Sequence, residues 1–136
     1  MSEIAIYKTL ALKDDEQLEY FVKKVQFLFN TRRNTILRAI KKYRIEDYAH
    51  VEIPKAGMFI WITVNNQLDS EKLFFDLLHN YKVLFVPGRF FLQNSENKSS
   101  SLRCAFATAT AEEMDVGISR LAECLKKNFS NNEQLE

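Results

Sequence analysis

The residue best placed to do chemistry lies in the stretch Ser101-Leu102-Arg103-Cys104-Ala105-Phe106-Ala107-Thr108. Apolar residues alternate with others there and turn-formers precede it, which is a strand pattern. Alternation puts Leu102, Cys104 and Phe106 on one face and Arg103, Ala105 and Ala107 on the other. An arginine among alanines has room above the sheet in which something can dock. A guanidinium held on a rigid strand can grip a planar carboxylate through two parallel hydrogen bonds. The plainer alternative is an arginine that ends at the surface in a salt bridge.

Other chemistry-bearing residues are sparse. His50 falls in a polar connector and His79 on a helix face, positions that suit surface or packing histidines better than ligands. The two cysteines, Cys104 in the strand and Cys124 in a helix, form neither a disulfide framework nor a metal-ligand spacing. Cys104 points away from Arg103 and reads as a buried structural thiol. No metal site is expected, and a reducing, cytoplasmic compartment fits. Arg32, Arg33, Arg38, Lys41, Lys42 and Arg44 make a strongly basic stretch. The net charge is nevertheless only +1, and no aromatics interleave with these residues as a stacking platform. The stretch reads as a solvated helix face, with no nucleic-acid partner.

Length and composition set the frame for these residues. A chain of 136 residues, 46% hydrophobic and 27% charged, is ordinary for one soluble globular domain with a real core. Eleven Phe against three Gly and two Pro imply dense aromatic packing and few sharp turns. No apolar run reaches the roughly 18 residues of a membrane span, so neither a membrane partner nor a secretory leader is expected.

The elements that must carry the arginine strand follow from periodicity. Ile4, Tyr7 and Leu10 have helical spacing over residues 2 to 12. Asp14 then suits an N-cap, with Gln17 in capping-box position. A long helix runs from there toward Arg44, with Leu18, Phe21, Val22, Val25, Leu28 and Phe29 as one stripe. Ile36, Leu37, Ile40 and Tyr43 continue it beyond an interruption at Asn30-Thr31. About 30 residues make roughly 45 Å, so this helix either bends near Asn30 or reaches toward another domain. Glu46 to His50 is a polar connector, and Pro54 and Gly57 bracket a turn. Met58 to Val64 is a strand, apolar on both faces and therefore central. Asp69 or Ser70 caps a helix to Tyr81, Val83 to Val86 is a short strand ended by Pro87-Gly88, and Arg89 to Ser100 is a loop. Thr110 and Glu113 form a capping box that opens a last helix burying Met114, Ile118, Leu121 and Leu125. The expected class is α+β: a two-layer domain with a short mixed or antiparallel sheet covered by helices, and a long N-terminal helix.

Taken together, four stretches carry a resemblance. They are Arg32-Arg33-Asn34; Pro54-Lys55-Ala56-Gly57-Met58-Phe59-Ile60-Trp61; Val86-Pro87-Gly88-Arg89-Phe90-Phe91; and Leu102-Arg103-Cys104-Ala105-Phe106. In this order, followed by Ala-Glu-Glu-Met-Asp, the chain resembles the C-terminal small domain of fold-type I pyridoxal-phosphate aminotransferases. The similarity is to their kynurenine/2-aminoadipate and aromatic branch, and it runs from about Leu18 to Phe129. Ala56 replaces the first Gly of the family's usual Gly-Gly pair and Asn34 its Asp; neither change removes chemistry.

The resemblance implies roles and boundaries. Arg103 matches the arginine that binds the substrate α-carboxylate. Phe59 matches a position facing the substrate side chain, and Gly88 and Phe90 match the turn beside the substrate entrance. Residues 1–14 would be the end of a preceding large domain, 15–129 the small domain, and 130–136 a disordered tail. The long helix would be the spine between the two domains. The cofactor, pyridoxal 5′-phosphate, and its Schiff-base lysine would belong to the large domain, since the lysines here sit on helices or in loops and there is no glycine-rich phosphate cradle; no catalytic residue is expected in this chain. The implied partners are an amino acid and a 2-oxo acid as substrates, the large domain of the same protein, and a second copy in a homodimer. The chain would then be a fragment or a stand-alone relic, inactive alone. The rival reading is a non-catalytic aminotransferase-like module for ligand sensing or protein contact.

Overall fold

The structure is a computed structural model describing residues 14–66, 68–94 and 97–133. The helix expected over residues 2 to 12 lies outside them. In chain order come α1 (Asp15–Lys42), β1 (Ala49–Glu52), β2 (Phe59–Val64), α2 (Ser70–Asp76), β3 (Val86–Pro87), β4 (Ser101–Ala105) and α3 (Ala111–Glu133). The sheet has the order β1-β2-β4-β3 and is antiparallel at every pairing. The class is α+β, as expected. Among the described residues no helix is long and apolar enough to cross a membrane.

Two compact units divide the chain, Met1–Thr31 and Arg32–Glu136. In the first, α1 starts where its cap places it, the Gln17 backbone N–H donating to Asp14 Oδ1 at 2.7 Å. The helix carries through Asn30 and Thr31, where an interruption was expected. Thr31 adapts by donating its hydroxyl back to Phe27 O at 2.9 Å. Of the apolar stripe, Leu18, Val25 and Phe29 are half-buried and Phe21, Val22 and Leu28 exposed.

The second unit holds the core. Ile60, Ile62 and Val64 of β2 and Leu102, Cys104 and Phe106 in and after β4 are buried. Ile36 of α1, Cys104, and Met114 and Ile118 of α3 border one cavity of about 170 Å³, which puts helices over this face of the sheet. β2 is central in the order, but only one of its faces is sealed; Phe59, Trp61 and Thr63 on the other are half-buried. Its doubly apolar run therefore does not mark a second core layer among the described residues.

Some boundaries differ from the sequence expectation. β1 occupies residues read as a connector and turn; with only Ala49 buried, an edge strand this short carries almost no apolar signal. β3 is displaced to Val86–Pro87. Pro87 is tolerated there because β3 is the other edge of the sheet. The helix from Ser70 loosens after Asp76 into a π-helical turn, Leu77–Tyr81, closed by Lys82 at φ 55°. Asp69 caps its start by accepting from the Glu71 N–H at 3.0 Å. The Thr110 capping box forms in both directions: Thr110 N–H to Glu113 Oε2 at 2.7 Å, and Glu113 N–H to Thr110 Oγ1 at 3.2 Å. α3 then extends to Glu133, into the segment read as a tail.

Candidate functional site

Register builds the site. Trp61 pairs with Arg103 across β2 and β4, and Phe59 pairs with Ala105, so Phe59 is the diagonal neighbour of Arg103 on the open face. Diagonal positions are within reach of long and aromatic side chains. Accordingly the Arg103 guanidinium carbon lies 4.1 Å from the Phe59 ring centroid. A second ring, Phe91, lies 4.5 Å from the same carbon. Phe91 in turn meets Trp61 edge-on, with centroids 5.3 Å apart at 87°. Two phenyl rings thus lie within cation–π distance of the guanidinium, an arrangement that favours the charge. Among the described residues no carboxylate or carbonyl pairs with this guanidinium. The surface salt bridge of the plainer reading is absent there, and the donor fork remains available for an acid from outside.

Gly88 and Phe90 divide in their placement. Gly88 opens a single 3₁₀ turn, Gly88–Phe91, and is buried against the start of β4. A Cβ on it would stand 2.6 Å from Ser99 Oγ and 2.9 Å from Ser101 O, so glycine is required by close approach. Phe90 is 61% exposed, and its ring centroid lies 5.8 Å from the Arg89 guanidinium carbon. Phe91 is the ring that reaches Arg103. Arg89 itself pairs with Glu71 of α2, each side chain about one-third exposed at 30% and 33%.

The basic half of α1 does more than solvate a helix. Arg32 Nη1 donates to Ala109 O at 2.7 Å and Arg33 Nη1 to Pro54 O at 3.2 Å. They hold the segment after β4 and the loop before β2, the two connections flanking the site. Both side chains are half-buried, which corrects the expectation of a fully solvated face. Gly57, at φ 92°, lets that loop turn into β2.

Beside Phe59 and Trp61 lies an open concavity of about 350 Å³, lined also by Glu52, Pro54, Lys55 and Met58. A larger one of about 670 Å³, bordered by Lys82, Leu84, Glu112, Val116 and Arg120, contains no residue of the arginine cluster. Burial pushes the Cys104 thiol up to about 12, so it stays protonated at neutral pH on the sealed face. His50 is exposed; His79 Nδ1 contacts Phe75 O at 2.8 Å on its own helix. Among the described residues no group of three or more His, Cys, Asp or Glu could hold a metal.

Sequence reasoning named Arg103 and Phe59 but not Phe91 or Trp61. Trp61 was within reach, since alternation in β2 sets it on the Phe59 face. Choosing Phe91 over Phe90 depends on the phase of a four-residue turn, which has no sequence period.

An antiparallel sheet with one sealed face, and on the other an arginine beside two phenyl rings with no acid partner among the described residues, defines a small α+β domain. The chain belongs to the family Aminotransferase class I and II, whose profile matches residues 4–121. It is 32% identical over 93% of its length to the mitochondrial kynurenine/alpha-aminoadipate aminotransferase of Rattus norvegicus, spanning 29% of that protein. Its fold matches that of LysN, the alpha-aminoadipate aminotransferase of Thermus thermophilus, crystallised with N-(5′-phosphopyridoxyl)-L-leucine. The TM-score is 0.75 and the identity 27%, over 92% of this chain and 30% of that one. It is also 25% identical, over 93% of its length and 27% of the relative's, to the HTH-type transcriptional regulator NorG of Staphylococcus aureus. The chain thus spans about three-tenths of the length of the curated relatives it matches.

Proposed function

We propose that this chain is the substrate-carboxylate-binding small domain of a pyridoxal-phosphate-dependent aminotransferase. The parent would move an amino group between an amino acid, aromatic or 2-aminoadipate-like, and a 2-oxo acid. One observation carries the reading: Arg103 is stacked on Phe59 and Phe91 and has no acid partner among the described residues. Arg103 binds the carboxylate common to both substrates in a two-pronged grip, so one residue serves both half-reactions. Holding that end fixes where Cα and its proton lie, the condition for removing the proton in a defined geometry. Phe59 and Trp61 receive the substrate side chain along the adjoining concavity, and closure over the substrate excludes water.

The described residues do not fit a cofactor hold of their own, because every described lysine is exposed. A lysine activated for such chemistry is desolvated. Pyridoxal phosphate supplies the electron sink for the chemistry when bound, and we assign its hold to the large domain of the same protein, acting in a homodimer. The free thiols Cys104 and Cys124 suit a reducing compartment, in our reading the cytoplasm. Domain limits of 15–129 are part of the same proposal.

The test uses the purified chain. Titrated with pyridoxal phosphate, it should give no saturable one-to-one aldimine absorbance. Under the same conditions the Arg103 Nε–H resonance should move with L-phenylalanine and stay put with L-phenylalaninamide. An aldimine that amino acids discharge would place the catalytic lysine in this chain and overturn the division of labour.

The NorG likeness supports a second reading, an aminotransferase-like module that senses a carboxylate without catalysis. It shares the Arg103 grip. It differs in predicting that a parent protein carries a DNA-binding segment and no Schiff-base lysine.

A further inference from the structure

Arg89 and Glu71 take no part in gripping a carboxylate, yet their ion pair joins the two elements between which the arginine cluster depends on a turn. Phe91 is the outer ring of the Phe59–Arg103–Phe91 stack and is 47% exposed. It sits on a single 3₁₀ turn, Gly88–Phe91, capped at its end by a hydrogen bond from the Leu92 N–H to Arg89 O at 3.2 Å. Upstream, the turn is held to β4 by a strand of only two residues, Val86–Pro87. Among the described residues no backbone hydrogen bond ties this turn to α2. The Arg89 side chain does: it leaves the middle of the turn, lies against the Phe90 ring, and pairs with Glu71 in the first turn of α2. α2 is in turn tied to the segment before β4, the Ser70 N–H donating to Ser99 O at 2.7 Å.

We propose that the Glu71–Arg89 ion pair is a strap that holds Phe91 in phase on Arg103, so that Glu71 is a positioning residue for carboxylate binding. The inference rests on the reading of Arg103 given above and adds a residue to it. With the strap in place, Arg103 meets a carboxylate already planar and flanked, and less freedom is lost on binding. With the strap cut, the turn stays attached through Gly88 but loses its tie to α2 and can tilt, and the guanidinium keeps one ring instead of two. A partly exposed ion pair adds little to global stability, so its loss should be read at the site and not in the melting curve.

The experiment follows the ¹⁵N-labelled chain with Glu71→Gln, Arg89→Gln and the charge swap Glu71→Arg/Arg89→Glu. Without ligand, the Arg103 Nε–H resonance carries the ring currents of Phe59 and Phe91, and the Trp61 indole reports Phe91. Trp61 is the single tryptophan, so its signal is unambiguous. Each single variant should move both resonances, weaken L-phenylalanine binding several-fold, and leave the melting temperature within a few degrees; the swap should restore both signals. Resonances unmoved in the single variants would overturn the strap, as would a swap that restores the melting temperature but not the signals. Should Glu71→Gln fail to fold, Glu71→Asp, which keeps the charge on a shorter arm, must give an intermediate displacement of both resonances. The reading of Arg103 fails separately, if wild-type Arg103 does not respond to L-phenylalanine while its ring-current shift is intact.

Discussion

The two faces of β4 were made by the same five residues, yet they obey different rules. On one, Leu102 and Cys104 vanish into the core at 0% and 7% exposure. On the other, Arg103 keeps a charge at half-burial with aromatic rings but no acid beside it. The nearby Arg89 makes the contrast sharper, because it has what Arg103 lacks, a glutamate and an outward ring. An arginine that serves the fold has its hydrogen-bond partner within the chain, as Arg32, Arg33 and Arg89 do. One kept free of acids but beside two rings is, in the function proposed above, prepared for an acid that arrives from outside.

The largest way to break this comparison is on the sealed face. Leu102→Ala removes a fully buried side chain and should cost about 2–5 kcal/mol of stability, read by denaturant unfolding. The Arg103 response to L-phenylalanine should survive in whatever fraction remains folded. Arg103→Met should do the reverse. Losing a two-pronged, charge-assisted grip costs about 1.5–3 kcal/mol of binding. The L-phenylalanine response of the Trp61 indole should therefore weaken about 10- to 100-fold, while unfolding stability changes by under about 1 kcal/mol. If Arg103→Met unfolds the chain, Arg103 belongs to the fold and the distinction between the faces collapses.

How much of this was legible in the sequence depends on whether a residue sits in a periodic element. Leu102, Cys104 and Phe106 alternate, and their common burial follows from that alone. Asp14, Asp69 and the Thr110–Glu113 box marked their helix starts because capping chemistry is local in sequence. β1 was missed because an edge strand with one buried residue has no pattern to read. The run from Arg32 to Arg44 looked like a solvated face because spacing cannot show that Arg32 and Arg33 reach the carbonyls of Ala109 and Pro54, far away in sequence. The site was half legible for the same reason. Arg103 and Phe59 lie on strands, whereas Phe91 lies on a 3₁₀ turn, Gly88–Phe91, too short to carry a sequence period.

A middle-sized effect tests the turn that joins the two faces. Gly88→Ala places a Cβ against Ser101 O, a backbone atom that cannot swing aside. The expected loss is about 1–3 kcal/mol, together with displacement of Phe91 from Arg103, seen as movement of the Trp61 indole resonance. A variant as stable as wild type with an unmoved indole would mean that the turn is looser than its packing indicates.

The smallest effect separates the arginine site from the ordinary ion pairs by pH. Asp115 accepts from Lys42 Nζ at 2.9 and 3.0 Å and from Tyr43 Oη at 2.7 Å, and the Lys42 hydrogen bond holds its carboxyl below the usual 3.8. Glu113 is held below 4.5, chiefly by the Thr110 backbone N–H, and Asp76 below 3.8, chiefly by the Asn80 amide. Each lowered value means that the folded chain binds the proton less readily than the unfolded one. Their stabilisation is therefore complete above these ordinary values and is lost as pH falls through the lowered ones. Asp115→Asn should make the unfolding midpoint less sensitive to acid between about pH 5 and pH 2. Arg103→Met should leave that slope as it is in wild type, because no acid within the described chain is held down by Arg103. An Arg103→Met slope as shallow as that of Asp115→Asn would reveal an internal carboxylate partner and place Arg103 with Arg89 after all.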